Sequence, residues 1–286
     1  MNAKMLRKFF YWVNERHAIY LKKERGELWP WTKDPILVKY KFTNVFRQLD
    51  RTTKDLCARL QELRTSNKIL VFSNIVIFRL FNRTETYDEL FRNGLCEEWN
   101  CRYATKILEN YKKRGNKVFT GAYMVTGGSL NGKGRSKISM ICEAIDDILR
   151  DTDTLLKNKT IQDMVGALRE YNTVGGFVAY ELATDMRHTT ILHNAPDIMT
   201  WANPGPGARR GLNRIHDRPL PSRVSEEQMV QEMRIILDHS MRKRKSHVPQ
   251  LEMRDIEHSL CEFDKYMRVF NKEGRTPRGI YKRRAL

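Results

Sequence analysis

Five apolar residues near the C-terminus, Ile256, Leu260, Phe263, Met267 and Phe270, step along the chain by 4, 3, 4 and 3 positions. At 3.6 residues per turn this spacing draws one stripe down an α-helix, whereas a strand would scatter it over both faces. The same signature recurs upstream. Leu6, Phe9, Phe10, Val13 and Ile19 share a broad face within 3–22. Asp34 followed by Pro35 reads as a helix start, an N-cap acceptor and then a residue with no N–H to leave unsatisfied. Ile36, Leu37, Tyr40, Val45, Phe46 and Leu49 predict that this helix runs on to about 49, and Leu56, Leu60 and Leu63 predict another over 53–64. The run ILVFSNIVIFRLF (69–81) is apolar almost all round, so periodicity alone does not separate a buried helix from a strand; its neighbours favour helix. Glycine-rich 116–136 reads as a loop or short strand. Helices are predicted over 137–150, 161–171 and 177–186. Prolines at 196, 204, 206, 219 and 221 make 195–224 irregular, and Ser225 with Gln228 forms a capping box for a helix ending in MRKRK (241–245). The fold class is all-α, with a loosely packed basic tail after Gly274.

Charge constrains the partners. Fifty-two Lys and Arg stand against 34 Asp and Glu, a formal charge of +18, and such an excess repels itself unless a polyanion meets it. Basic clusters at 21–26, 111–117, 131–137, 207–214, 241–245 and 279–284 punctuate the folded chain instead of forming one tail. That pattern fits a surface meeting nucleic-acid phosphates at several points. The rival is a generally cationic solvated surface. No run of about 18–20 apolar residues spans a membrane, the N-terminus lacks the apolar core of a signal peptide, and no segment suits membrane-surface binding. Five scattered cysteines, an odd number, read as reduced thiols. A cytoplasmic location is expected.

Several features are able to carry chemistry. Gly127, Gly132 and Lys133 fit the phosphate-loop spacing G-x-x-x-x-G-K, but Gly134 stands where magnesium needs Ser or Thr. Lys133 and Arg135 are therefore read as contacts to DNA phosphate. Two glycine turns, YNTVGGFVAYEL (171–182) and WANPGPGARRGLNRI (201–215), are expected to join helices and present backbone N–H groups to phosphates, with Gly205, Gly207, Arg209 and Arg210 in the second. Glu181, Asp185 and His188 share a helical face; Glu257, Asp264, Lys265 and Arg268 flank the last apolar stripe; Asn44, Arg47 and Arg51 share a third. Carboxylates so placed serve as general acid or base, or simply form ion pairs such as Asp264 with Arg268. Cysteine and histidine spacings give no metal site.

The blocks PWTKDPILVKYKFTNVFRQLDR (30–51), IFRLFNRTETY (77–87), FTGAYMV (119–125), GGFVAYELATDMR (175–187), NPGPGARRGLNRI (203–215) and MRDIEHSLCEFDKY (253–266) resemble a phage-centred family, the α-glutamyl/putrescinyl thymine pyrophosphorylases or amino acid:DNA transferases. The same module is described as the helical domain of 5-hydroxymethyldeoxyuridine DNA kinases. The resemblance covers about residues 15–282. It implies one helix-hairpin-helix, DNA-glycosylase-like helical domain, open to division into two lobes around a cleft, that flips a modified base. It also implies a reaction on double-stranded DNA carrying pyrophosphorylated 5-hydroxymethyluracil, in which a free amino acid or amine displaces pyrophosphate.

Under that resemblance Asp185, Glu257 and Asp264 become the catalytic candidates, with Asp185 and Glu257 as bases for the incoming ammonium. Asn44, Arg47, Arg187 and Lys265 become ligands of substrate and pyrophosphate. Trp31 and Tyr123 become walls for the flipped base. No cofactor is firmly implied; magnesium accompanying the pyrophosphate is compatible with the chemistry. Three readings stay open: the transferase itself, a non-catalytic DNA-binding module partnering a kinase, and a base-excising glycosylase.

Overall fold

The computed structural model describes residues 1–63, 65–120, 136–274, 276–277 and 279–281. Among them stand thirteen α-helices and no strand: α1 (Ala3–Glu24), α2 (Pro35–Lys39), α3 (Arg51–Glu62), α4 (Lys68–Phe81), α5 (Thr84–Arg92), α6 (Cys101–Lys113), α7 (Lys137–Arg150), α8 (Thr152–Leu155), α9 (Ile161–Arg169), α10 (Gly176–Met186), α11 (Pro206–Ile215), α12 (Glu226–Lys243) and α13 (Met253–Phe270). The all-α expectation holds. Short polar side chains start most of these helices by accepting first-turn N–H groups: Asn2, Asp34, Asn67, Asn100, Ser136, Thr160 and Ser225. Glu252 and Asp255 cap α13 reciprocally.

The chain divides into two compact units, Met1–Asp50 with Ile198–Leu286, and Arg51–Asp197. In the first, α13 packs against α1, α2, α11 and α12. Its stripe residues Ile256, Leu260 and Phe263 are fully buried, and Phe263 meets Phe9 edge-on at 5.5 Å. In the second, α4 packs against α3, α5, α7, α8 and α10, while α9 lies on α10 and α6 on α7. The apolar run is a helix: Phe72, Ile75, Val76, Ile77 and Phe78 of α4 are wholly enclosed. Each such burial is worth about 1.5–3 kcal/mol, which outweighs the modest helix propensity of β-branched residues.

Four sequence expectations change. The helix expected to reach 49 stops at Lys39. Tyr40 is extended and bridges Ile280, and buried Arg16 takes the Phe42 carbonyl with Nε and Nη2 at 3.2 and 3.1 Å, so tertiary partners remove that segment from the helix. For the same reason the tail is not wholly loose: Lys41 N–H donates to the Gly279 carbonyl and Tyr281 N–H to that of Lys39. The region 195–224 contains α11, opened by Pro206 in its first turn. The Ser225 cap is half a box: Ser225 accepts from the Gln228 N–H, but the Gln228 side chain bonds Glu232. Helices α5 and α6 fall in 82–115, which periodicity left unassigned.

Candidate functional site

Two of the sequence blocks meet in the second unit. Arg79 is the one charged side chain after Lys68 in α4 and is buried at 4% exposure; Asp185 of α10 is buried at 3%. The guanidinium grips the carboxylate bidentately, Nε to Oδ2 and Nη2 to Oδ1 both at 2.6 Å. Arg79 Nη1 lies 3.7 Å from Glu181 Oε2 and donates to Asn82 Oδ1 at 3.0 Å. The shared face expected for Glu181 and Asp185 exists, and its partner is an arginine 106 positions away. A carboxylate that accepts two short charge-assisted bonds is held as an anion and is a weak proton acceptor. Arg187 caps the C-terminus of α10 and is half-buried.

In the first unit α11 and α13 bring the other carboxylates to arginines. Asp264 is 3% exposed and accepts from Arg214 Nε at 2.8 Å and Arg210 Nε at 3.0 Å, with Arg268 Nε at 3.4 Å. Arg214 also binds Glu273. At the start of α11 the Gly205 N–H donates to Glu257 Oε1 at 3.3 Å. A helix N-terminus favours negative charge, and here a side chain of α13 meets it, where a DNA phosphate was expected. Gly207 faces α13 instead: a Cβ added there would lie 2.3 Å from Cys261 Sγ. Arg209 is half-buried, with its Nε lacking a hydrogen-bond partner.

The segment 42–50 joins this unit's polar cluster. Asn44 accepts from Arg16 Nη2 at 2.6 Å and donates to the Leu49 carbonyl and Asp50 Oδ1, both at 2.9 Å. Arg47 Nε lies 3.3 Å from Asp50 Oδ2, and its Nη1 is 3.4 Å from His258 Nδ1. Because guanidinium only donates, Nδ1 is the acceptor and the proton of neutral His258 sits on Nε2, which donates to Thr43 Oγ1 at 2.5 Å. His258 therefore does not serve as a base towards Thr43. Burial, then Arg47, Lys265, Arg254 and Arg16, holds its pKa well below the ordinary value. Burial pushes the Asp50 carboxyl up, against the pull of Arg47 and Arg16. Lys265 binds Glu262, whose other oxygen accepts the Thr43 N–H.

The structure thus brings Asn44, Arg47 and Lys265 into one cationic neighbourhood, and Glu257, Asp264, Gly205, Gly207 and Arg210 onto the α11–α13 pair. Asp185 belongs to the other unit. Trp31 lies in the first, its indole donating to the Glu27 carbonyl at 2.7 Å and its ring 5.5 Å from Tyr281. Tyr123, Lys133 and Arg135 lie outside the described residues. Sequence reasoning missed Arg16, Asp50, Arg79, Arg214 and His258. A lone arginine inside an apolar run was the signal for Arg79. Among the described residues no three His, Cys, Asp or Glu side chains converge as metal ligands.

A model of the family described as 5-hmdU DNA kinase, helical domain, matches residues 3–276. The chain belongs to that family. A relative named 5-hmdU DNA kinase, from Bacillus phage SP10, is 28% identical over 295 aligned positions that cover 92% of this chain and 45% of the relative. The chain therefore spans somewhat under half the length of that curated relative. No solved structure matches it. Both polar clusters lie within the matched residues, and no described helix is long and apolar enough to cross a membrane.

Proposed function

We propose that this chain is a DNA-modifying transferase. It replaces pyrophosphate on 5-pyrophosphorylated hydroxymethyldeoxyuridine in DNA with an amino acid or amine. The observation that carries this reading is the family match over residues 3–276, whose SP10 relative is named for 5-hmdU in DNA. The sequence adds a reason to prefer displacement over phosphorylation: Gly134 stands where a phosphate loop needs its magnesium-binding hydroxyl.

In the reaction the amine lone pair forms a C–N bond to the 5-methylene carbon. The C–O electron pair leaves with pyrophosphate, and one ammonium proton passes to a base. Arg47 and Lys265 attract the leaving group, and their charges add to burial in holding the His258 pKa low. Asp264 supports this cluster by holding Arg214 and Arg210. Glu257, which accepts a neutral backbone N–H, and Asp50, whose pKa is raised, are the proton acceptors. A glycosylase-like architecture would deliver the base by flipping it past Trp31, with Arg209 on the backbone.

The test is incubation with pyrophosphorylated 5-hydroxymethyluracil DNA and mixed amino acids and amines, followed by digestion and mass spectrometry of the nucleosides. A new hypermodified thymidine is expected, with kcat reduced about 100-fold or more in Glu257→Gln or Asp50→Asn, the usual weight of a general base. Abasic sites would point to a glycosylase instead, and unchanged DNA to a binding module.

A further inference from the structure

The second unit holds a cleft of 290 Å³ at the corner where α3, α4 and α5 meet, and the family's reaction does not by itself assign it a role. Arg51 and Asp55 of α3 line one side, and Asn82, Arg83, Thr84 and Glu85 line the other. The two guanidinium and two carboxylate groups balance in charge. Asn82 has left-handed backbone at φ 49, which asparagine tolerates well, and it ends α4. It is 5% exposed. Its Oδ1 must be the atom facing Arg79, because a guanidinium only donates. That leaves the Asn82 amide NH₂ on the cleft wall, open to the cleft and without a hydrogen bond among the described residues. A second donor is also unmet: Arg83 Nε lies 3.3 Å from Glu85 Oε2 but is buried without a hydrogen bond. Asp55 is held in place by the Thr84 hydroxyl at 2.9 Å. For Arg83 Nε, a buried donor without an acceptor costs about 1–3 kcal/mol, and with the open Asn82 amide beside it the cleft suits a ligand that brings acceptors.

That ligand has both signs. Inorganic pyrophosphate would meet Asp55 and Glu85 as well as the arginines, and a diamine would meet Arg51 and Arg83. A zwitterion satisfies all four. At about 30 Å³ per water, the cleft has room for about ten non-hydrogen atoms, the size of a free amino acid. We infer that this cleft binds the free α-amino acid co-substrate, its carboxylate against Arg51 and the Asn82 amide and its ammonium against Asp55 and Glu85. The inference takes its biological meaning from the proposed transfer reaction, which needs a free amine, and through Asn82 and Arg79 it ties the cleft to Asp185.

The test is isothermal titration of the DNA-free chain with glycine, glutamate, N-acetylglycine, glycinamide, putrescine and inorganic pyrophosphate, alongside the KM for glycine in the transfer assay. Glycine and glutamate should bind one per chain and compete, while the two capped glycines, each missing one charge, bind at least about tenfold more weakly. Arg51→Ala and Asp55→Asn should each weaken glycine about tenfold and raise its KM with kcat held, with thermal unfolding unchanged. The site assignment is overturned if neither variant changes glycine binding or its KM, or if pyrophosphate or putrescine outcompetes glycine. Glycine binding that both variants weaken, with no transfer to DNA, would keep the site and sink the transferase; transfer with an unaltered KM in both variants would do the reverse.

Discussion

Arg79 and Asp185 are the clearest case of residues whose chemistry is set by what surrounds them. Each stands in a helix that is otherwise almost wholly buried, where an unpaired charge is far costlier than the pair. Removing one partner of such a pair leaves the other charged and dry, at about 3–5 kcal/mol. Arg79→Met and Asp185→Asn are therefore each expected to lower stability by that amount in urea unfolding at pH 7, and the double change Arg79→Met with Asp185→Leu to recover most of it. Additive losses would show that the pair contributes nothing jointly. The same geometry alters how loss of activity at Asp185 is read, because Asp185→Asn disturbs folding as well as any proton transfer. The sequence made half of this legible. A lone arginine inside IFRLF and an aspartate inside an apolar helix each demand a partner, and helical spacing put Glu181 and Asp185 on one face. Which arginine answers which carboxylate is a long-range fact that no local spacing contains. His258 escaped notice for the same reason: its neighbours Arg47 and Thr43 lie 211 and 215 positions away.

At the scale of elements, sequence reading was most secure where apolar periodicity was long, in α1, α7, α12 and α13, and failed where proline and glycine masked a helix. Residues 206–215 looked like a turn because of Pro206, Gly207 and Gly211, yet these residues make α11 fit. Proline suits a helix's first turn, and the two glycines, one turn apart, let the backbone of α11 approach α13. A Cβ at 211 would sit 2.5 Å from the Leu260 carbonyl oxygen; at 207 it would meet the Cys261 side chain at 2.3 Å. Alanine gains about 1 kcal/mol of helix propensity over glycine, but against fixed backbone the overpacking, about 1–3 kcal/mol, should win. Gly211→Ala is expected to lower the unfolding midpoint in denaturant and to be rescued by no side-chain change in α13. Gly207→Ala should also destabilise, but Cys261→Ala in the same chain should restore most of the loss, because the obstructing atom is the sulfur. That thiol is inert in any case, its pKa pushed up to about 12 by burial. Equal behaviour of the two glycines with and without Cys261→Ala would show that the helices adjust freely.

Over the whole molecule the +18 charge is the property that a DNA substrate would feel first, and the structure sorts which charges are available to it. Arg210 and Arg214 of the 207–214 cluster are engaged with Asp264, and Arg214 also with Glu273. Arg242, Lys243 and Lys245, at and just beyond the end of α12, are exposed, as are Lys112, Lys113 and Lys117 at and beyond the end of α6. Cations at a helix C-terminus are stabilised by its dipole and need no acidic partner, so these clusters suit phosphate contact better than Arg210 does. Binding through about five phosphates would give a slope of log K against log salt near −4 to −5, each contact contributing about −0.9 on duplex DNA. Replacing Arg242, Lys243 and Lys245 with Ala should flatten that slope by about 2–3 for every duplex sequence, with unfolding in urea unchanged. Arg210→Ala should leave the slope within about half a unit, because that guanidinium is committed to Asp264. Fluorescence anisotropy across a range of potassium chloride concentrations reads all three proteins. A wild-type slope near zero would contradict a phosphate-dominated mode, and a slope flattened by Arg210→Ala but not by the α12 change would return the DNA contact to α11.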